Sequence, residues 1–355
     1  MNQITRYLAK TILVTTLLAM LLWVGLEFIF SFVSEIRHVG TGNYGAWEAV
    51  LFIILSMPTQ IANLFPMSAL IGALLGLGIL ASRSELIIMR VSGMSVGDIL
   101  RAVLKLAFAF ALLVCVMGEW VGPYTDRIAH NQKALALSGG KALRTSHGIW
   151  LKDDEDFVHI QAIEEPGRLE GVSRYIFDGQ QDLKIASYAH HALFDKDHWV
   201  LYNVRQTIFY PDHTDSQKMA TQQWVSHIDP KILSLVEVKD LNELSLQGLW
   251  STIQYRQANG LDAGHYQLAF WQKLMRPFAV MIMMFLAIPC IFGPLRSATM
   301  GLRILAGVML GFVFYTFDQL FGPLMLVYHL PPILGACLPS LLFLGAGLLL
   351  LKRVH

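Results

Sequence analysis

Thr11-Ile12-Leu13-Val14-Thr15-Thr16-Leu17-Leu18-Ala19-Met20-Leu21-Leu22-Trp23-Val24-Gly25-Leu26-Glu27-Phe28-Ile29-Phe30-Ser31-Phe32-Val33 carries a single charge, Glu27. A helix rising 1.5 Å per residue needs about 20 mostly apolar residues to cross the ~30 Å hydrocarbon layer of a bilayer, so this run is long enough to span. Five more such runs follow: Ile61–Ala81, Ala102–Val121, Leu268–Ile291, Ile304–Met325 and Pro332–Leu351. Gly45–Met57 is apolar too, but at about 20 Å it is short, and Pro58 is expected to stop it. It reads as an interfacial or tilted lead-in to the second span. The first run exceeds the core of a signal peptide, roughly 7–15 residues, and no small-x-small cleavage site follows it, so its retention is expected.

Working outward, the 355 residues are 54% apolar and 15% charged, with mean hydropathy +0.49. Soluble domains carry roughly 25% charge. Of the 26 acidic residues 19, and of the 27 basic ones 14, lie between Pro123 and Gln267. This excludes a plain cytosolic enzyme and predicts an α-helical membrane protein with one soluble insert. The parts are 1–122 with spans one to three, 123–267, and 268–355 with spans four to six. A net charge of +1 gives no reason to expect a nucleic-acid partner. Basic residues set orientation: Arg6, Lys10, Arg83, Arg90, Arg101, Lys105, Arg296, Arg303, Lys352 and Arg353 flank one side, and only Arg37 lies in the short loops of the other. Both termini are therefore expected inside and the insert outside. Cys115, Cys290 and Cys337 all fall in spans, where they read as small apolar packers.

Within the insert the apolar period changes to two. Gly148–Lys152 and Phe157–Ile163 read as a hairpin around an acidic tip. Val172–Phe177, Leu183–Tyr188, His191–Phe194, Trp199–Asn203 and Gln206–Tyr210 read as further strands of an all-β sandwich or jellyroll. Asp212–Asp215 reads as a solvated loop, Leu244–Ala258 as a helix, and Tyr124–Leu137 as the third span's helix continued beyond the membrane. There is no His-Glu-x-x-His, Gly-x-Ser-x-Gly or Cys/His metal spacing, and adjacent His190 and His191 on a strand point to opposite faces. Gly140-Lys141-Ala142 is no P-loop, so ATP, if used, must be hydrolysed by another chain.

Between spans two and three, Ser82-Arg83-Ser84-Glu85-Leu86-Ile87-Ile88-Met89-Arg90-Val91-Ser92-Gly93 predicts a short helix. Ser84 or Ser82 would cap it, Glu85 would sit in the first turn and Gly93 would end it. It would expose Ile88 and Met89 beside charge. That suits either a surface turn or a docking knob for a cytoplasmic partner.

At this point the chain resembles the LptF/LptG family of lipopolysaccharide export permeases, on its LptG branch. The resemblance rests on Arg6-Tyr7, Phe65-Pro66-Met67, Gly72-Ala73-Leu74-Leu75-Gly76-Leu77-Gly78, Arg83-Ser84-Glu85-Leu86 and Gly118-Glu119-Trp120-Val121. It continues with Asp262-Ala263-Gly264-His265-Tyr266-Gln267-Leu268, Phe292-Gly293-Pro294-Leu295-Arg296 and Asp318-Gln319-Leu320-Phe321-Gly322-Pro323-Leu324. It implies six transmembrane helices and a periplasmic β-jellyroll in the bacterial inner membrane. It also implies an ABC-transporter subunit without catalysis or cofactor of its own. The implied partners are an LptF-like permease, two copies of a cytoplasmic LptB-like ATPase using ATP and Mg, LptC-like and LptA-like jellyroll proteins, and lipopolysaccharide. Arg83, Glu85, Leu86, Met89, Arg90 and Gly93 would form the ATPase-coupling helix.

Lipid phosphates would be met by Arg37, Arg127, His130, Lys133, Lys273 and Arg276, of which His130 and Lys133 fall where the family's third-helix bases occur. Where some relatives carry a lysine on span one, this chain has Ser31, one turn after Glu27. The intramembrane acids Glu27, Glu119 and Asp318 read as internally paired or snorkelling, with pairing inside the bundle favoured for Glu119 and Asp318, and Phe28, Phe32, Phe312 and Phe317 as acyl-cavity candidates or packing. Gly72/Gly76 and Gly307/Gly311 suit an interface between subunits. A secondary transporter would instead show an internal repeat and midplane charges, and a membrane-anchored hydrolase would need a catalytic constellation.

Overall fold

The computed structural model describes residues 3–137, 148–153, 156–165, 167–178, 182–226, 228, 230, 233, 241, 244–294 and 298–353. Gly140, Lys141 and Arg296 lie outside them. The chain divides into two compact units: residues 1–37, 49–129 and 264–355 form one, and 38–48 with 130–263 the other.

The first unit holds α1 (Gln3–Glu35), nearly all of α2 (Ala46–Ser82), α3 (Glu85–Val91), α4 (Val96–Val116), the first half of α5 (Gly122–Leu137), α7 (Gly264–Phe292), α8 (Met300–Val327) and α9 (Pro332–Lys352). Among the described residues six helical stretches are long and apolar enough to cross a membrane. The expected lead-in does not exist as a separate element. All of Gly45–Met57 except Gly45 is absorbed into α2, which runs on through Pro58 and Pro66. A membrane helix tolerates proline because neighbouring helices and polar side chains satisfy the freed carbonyl.

A capping box starts α4: the Asp98 amide donates to Ser95 Oγ at 3.1 Å and the Ser95 amide to Asp98 Oδ2 at 3.0 Å. Between α4 and α5 the helix widens into a π turn, Met117–Val121. Gly122 follows it; a Cβ there would collide with the Thr59 hydroxyl of α2, so glycine permits the approach.

Helix packing in a bilayer rests on close contact rather than hydrophobic drive. Small residues therefore mark the tightest crossings. A Cβ at Gly76 would lie 2.9 Å from Ile12 Cα of α1, and one at Gly311 would lie 2.6 Å from Met67 Cγ of α2. The glycine pairs expected between subunits are thus occupied within the chain, Gly72 and Gly76 against α1, Gly307 and Gly311 against α2.

The second unit is built on β1 (Ile149–Asp153), β2 (Asp156–Glu165), β3 (Arg168–Phe177), β4 (Leu183–Asp195), β5 (His198–Phe209) and β6 (Thr214–Trp224). They form one antiparallel, jellyroll-like sheet whose neighbours follow chain order. Two pairs of expected strands merge, into β4 and β5. Asn203, at φ 53°, bends β5 where the alternation breaks without ending the strand. The expected loop at Asp212–Asp215 supplies the turn at Asp212–His213 and the first two residues of β6. One face packs Leu151, Val158, Leu169, Leu201, Trp199 and Trp224 against Ile228, Leu233 and Tyr255 of α6 (Leu246–Ala258). Three polar side chains at this face are matched: Trp199 Nε1 donates to the Ile228 carbonyl at 2.7 Å, Trp224 Nε1 to Asp153 at 3.2 Å, and Tyr255 Oη to the Lys152 carbonyl at 2.6 Å. Arg174 pairs with Asp156 at 3.2 Å while lying over the Trp224 ring at 5.1 Å. Burial pushes the Arg174 guanidinium down and Asp156 opposes that.

Candidate functional site

Seven residues make α3, and its ends explain its stability. Gly93 at φ 95° lets the Met94 amide reach the Met89 carbonyl at 3.0 Å and the Gly93 amide reach Arg90 at 3.1 Å, the paired bonds of a Schellman stop. At the other end Ser84 stands at the cap position with φ 59°, and its side chain makes no capping bond, contrary to expectation. The Ser84 carbonyl instead accepts from the Ile87 and Ile88 amides at 3.1 Å. Glu85 in the first turn and Arg90 in the last complement the helix dipole.

The faces differ from the sequence reading in one respect. Ile88 is 64% exposed as expected, and Ile87 and Val91 join it, but Met89 is only 7% exposed and packs inward with Leu86. Met89 forms the floor of a groove of about 360 Å³ that Glu85, Ile88 and Ser92 share with Gln3, Ile4 and Tyr7 of α1. Glu85 lies 4.0 Å from Arg83, and its Oε2 is buried with no hydrogen-bond partner among the described residues. A buried acceptor without a donor is a place for a partner's donor.

The membrane charges divide by environment. Lys273 is 8% exposed and attracted by Glu119 and Asp126, with Arg276 repelling it. Asp126 also accepts a hydrogen bond from Thr59 of α2. Arg276 and Asp318 attract one another, and Gln272 donates to the Asp318 carbonyl at 3.4 Å. These two bases and three acids thus form a network inside the helical unit. Glu27 accepts from Ser31 at 3.2 Å, within its own helix. Arg37 and Arg127 are exposed. In the second unit His130 is exposed, and the Lys133 ammonium stands 6.0 Å from the ring centre of buried Tyr44.

Of the four phenylalanines, Phe28 and Phe32 stack on α1 with centroids 6.3 Å apart. Phe312 faces outward, and Phe317 packs edge-on against Phe321 and Phe343. Two contacts went unforeseen: Thr15 Oγ1 to the Gly72 carbonyl and Arg303 Nη1 to the Gly78 carbonyl. Their acceptors are backbone atoms, which leave no trace in the sequence beyond the glycine itself. Among the described residues no group of three or more His, Cys, Asp or Glu could hold a metal ion.

Six spanning helices, a β-sheet domain inserted after the third and a short helix presented after the second define a multi-pass membrane permease subunit. The chain belongs to the LptF/LptG family: the family model described as lipopolysaccharide export system permease LptF/LptG matches residues 6–353. It is 41% identical over 351 residues to lipopolysaccharide export system permease protein LptG of Escherichia coli K12, covering 98% of this chain and 97% of the relative. It is 38% identical over 354 residues to LptG of Haemophilus influenzae, covering 99% of each. Against LptF of E. coli K12 it is 27% identical over 133 residues, 38% of this chain and 36% of the relative. The likeness is thus to LptG.

Proposed function

We propose that this chain is the LptG-like half of a lipopolysaccharide export permease in the bacterial inner membrane, with both termini cytoplasmic and the β-sheet domain periplasmic. It pairs with an LptF-like subunit. LptB-like ATPases bind from the cytoplasm, and they alone use ATP and Mg. LptC-like and LptA-like jellyroll proteins carry the lipid onward. The observation that supports the coupling role is Glu85 Oε2, a buried acceptor with no hydrogen-bond partner among the described residues, on a side chain that lines an apolar groove together with exposed Ile88. Apolar anchoring fixes the partner, and a charge-assisted hydrogen bond to Glu85 fixes its register.

Lipid enters laterally between the two permease subunits. ATP-driven closure of the partner ATPases displaces α3, shifting the population between two helix packings and expelling lipid towards the sheet domain. Phosphates are met at the membrane boundary by exposed Arg37 and Arg127, with His130 and Lys133 beyond them; Lys273 and Arg276 shape the site through the internal network. The test is Glu85→Lys in the reconstituted complex: hydrolysis persists while release of lipopolysaccharide per ATP collapses. Normal ATP-driven release by the charge-reversed variant would overturn the assignment.

A further inference from the structure

Arg303 stands in the first turn of α8, where the cytoplasmic flank of a span ordinarily lets an arginine reach out to water. It is 3% exposed. Its Nη1 donates to the Gly78 carbonyl at 2.6 Å, one turn before the C-terminus of α2, where positive charge also complements the helix dipole. A Cβ at Gly78 would lie 3.0 Å from Arg303 Cδ and 3.4 Å from Nη1, so the guanidinium occupies the space the glycine leaves.

The same face of α8 continues along α2. One turn on, a Cβ at Gly307 would meet Leu74 Cδ1 at 3.0 Å, and the next turn brings Gly311 to Met67. At the end of this seam Arg303 adds a polar fastening. On a neighbouring face, about a quarter-turn round the helix, α8 borders an apolar cavity of about 520 Å³, lined by Ala306, Leu310 and Phe317 together with Cys290, Phe343 and Leu350 of α7 and α9.

Two residues separate α2 from α3, and both are tied back: the Arg83 amide donates to Ile79 at 3.1 Å and the Ser84 amide to Ala81 at 3.0 Å. Displacement of α3 therefore reaches the last turn of α2 with little slack. We propose that Arg303 is a positioning residue that transmits displacement of α3, through Gly78 at the end of α2, to the fifth span. This inference rests on the coupling role of α3 proposed above. It assigns to one guanidinium the link between the docking helix and the fifth span.

The experiment uses the complete permease–ATPase complex in nanodiscs, with Cys115, Cys290 and Cys337 replaced by alanine and spin labels at positions 82 and 302. In the parent complex the distance between the labels is expected to stay single and unchanged between the nucleotide-free and vanadate-trapped states. Arg303→Met should broaden it and reduce lipopolysaccharide released per ATP about tenfold, the coupling typical of linked sites, with the ATPase still bound. Arg303→Lys, which keeps a cationic donor, should restore part of both readouts. Gly78→Ala, which inserts a methyl at the guanidinium while leaving Arg303 in place, should act like Arg303→Met and serves where that variant does not fold.

An unchanged 82–302 distance in Arg303→Met, or release and hydrolysis falling together through loss of the ATPase, would overturn the proposal. Failure of the coupling reading looks different: Glu85→Lys would transport normally while Arg303→Met still loosened the label pair, and transmission from α3 would fall with it.

Discussion

Thr15 Oγ1 of α1 donates to the Gly72 carbonyl of α2 at 2.7 Å, at a crossing so tight that a Cβ on Gly72 would overlap Thr16. Interhelical hydrogen bonds in bilayers are worth about 1 kcal/mol. Thr15→Val should therefore cost about that much, whereas Gly72→Val must part the two helices. Thermal unfolding in detergent is expected to show a small loss for the first and a failure to accumulate folded protein for the second. Equal effects would sink this account of the crossing.

On α3, exposed and buried apolar residues should fail differently. Ile88→Asp leaves the bundle's packing intact and should reduce recovery of the co-purified ATPase at least about tenfold, the loss of a central apolar anchor. Met89→Ala empties the core side and should lower thermal stability by about 2 kcal/mol or more. Gly93→Ala, at φ 95°, should weaken both. The check is pull-down yield set beside melting temperature for each variant.

Lys273 is held among acids, so removing it strands them. Lys273→Met should destabilise by about 3 kcal/mol, the usual scale for breaking a buried ionic group's partnership. Adding Asp126→Asn should return part of the loss. The double-mutant cycle reads the coupling directly, and strictly additive losses would place Lys273 outside the network.

Tyr255 gives the soluble domain an alkaline limit. Burial pushes its phenol up to about 12, the nearby Asp153 adding to the effect. The folded value lies above the unfolded one, so this contribution is fully present below about pH 10. It is lost as pH rises from there through about 12. Absorbance titration of tyrosinate, followed with β-sheet circular dichroism on the full chain, should show one tyrosine ionising as α6 leaves β1. Tyr255→Phe should remove that step.

Much of the architecture was legible because spans are long: some 20 residues of apolar sequence with few charges leave little room for another reading. The exceptions have local causes. Pro58 suggested an end that neighbouring helices make unnecessary. β6 went unseen because Thr214–Gln223 is polar on both faces, as suits an edge strand, and offers no alternation. Asn203 split a strand that merely bends there.

For α3, Glu85 and Gly93 announced the helix, but seven residues hold too little periodicity to say which way Met89 points. The charge network was less accessible still, since Thr59 and Asp126 lie 67 positions apart and meet only once the second and third spans pack. Lys273 and Arg276 look alike in sequence to a phosphate-binding pair; the acids around them become visible only in three dimensions.

The widened turn at Met117–Val121 sets the two halves of the third span out of phase. One extra residue in a helix of 3.6 per turn rotates everything beyond it by about 100°. Below the turn the inward stripe runs Ile99, Val103, Phe110, Val114; above it, the stripe restarts on Gly122, Asp126 and Ala129. Deleting a single residue there would leave hydropathy and length almost untouched, yet it would swing Asp126 away from Thr59 and turn the apolar ridge outward. The turn works as an angular offset, letting a lipid-facing rod below carry a differently aimed polar rod above without a break in the helix.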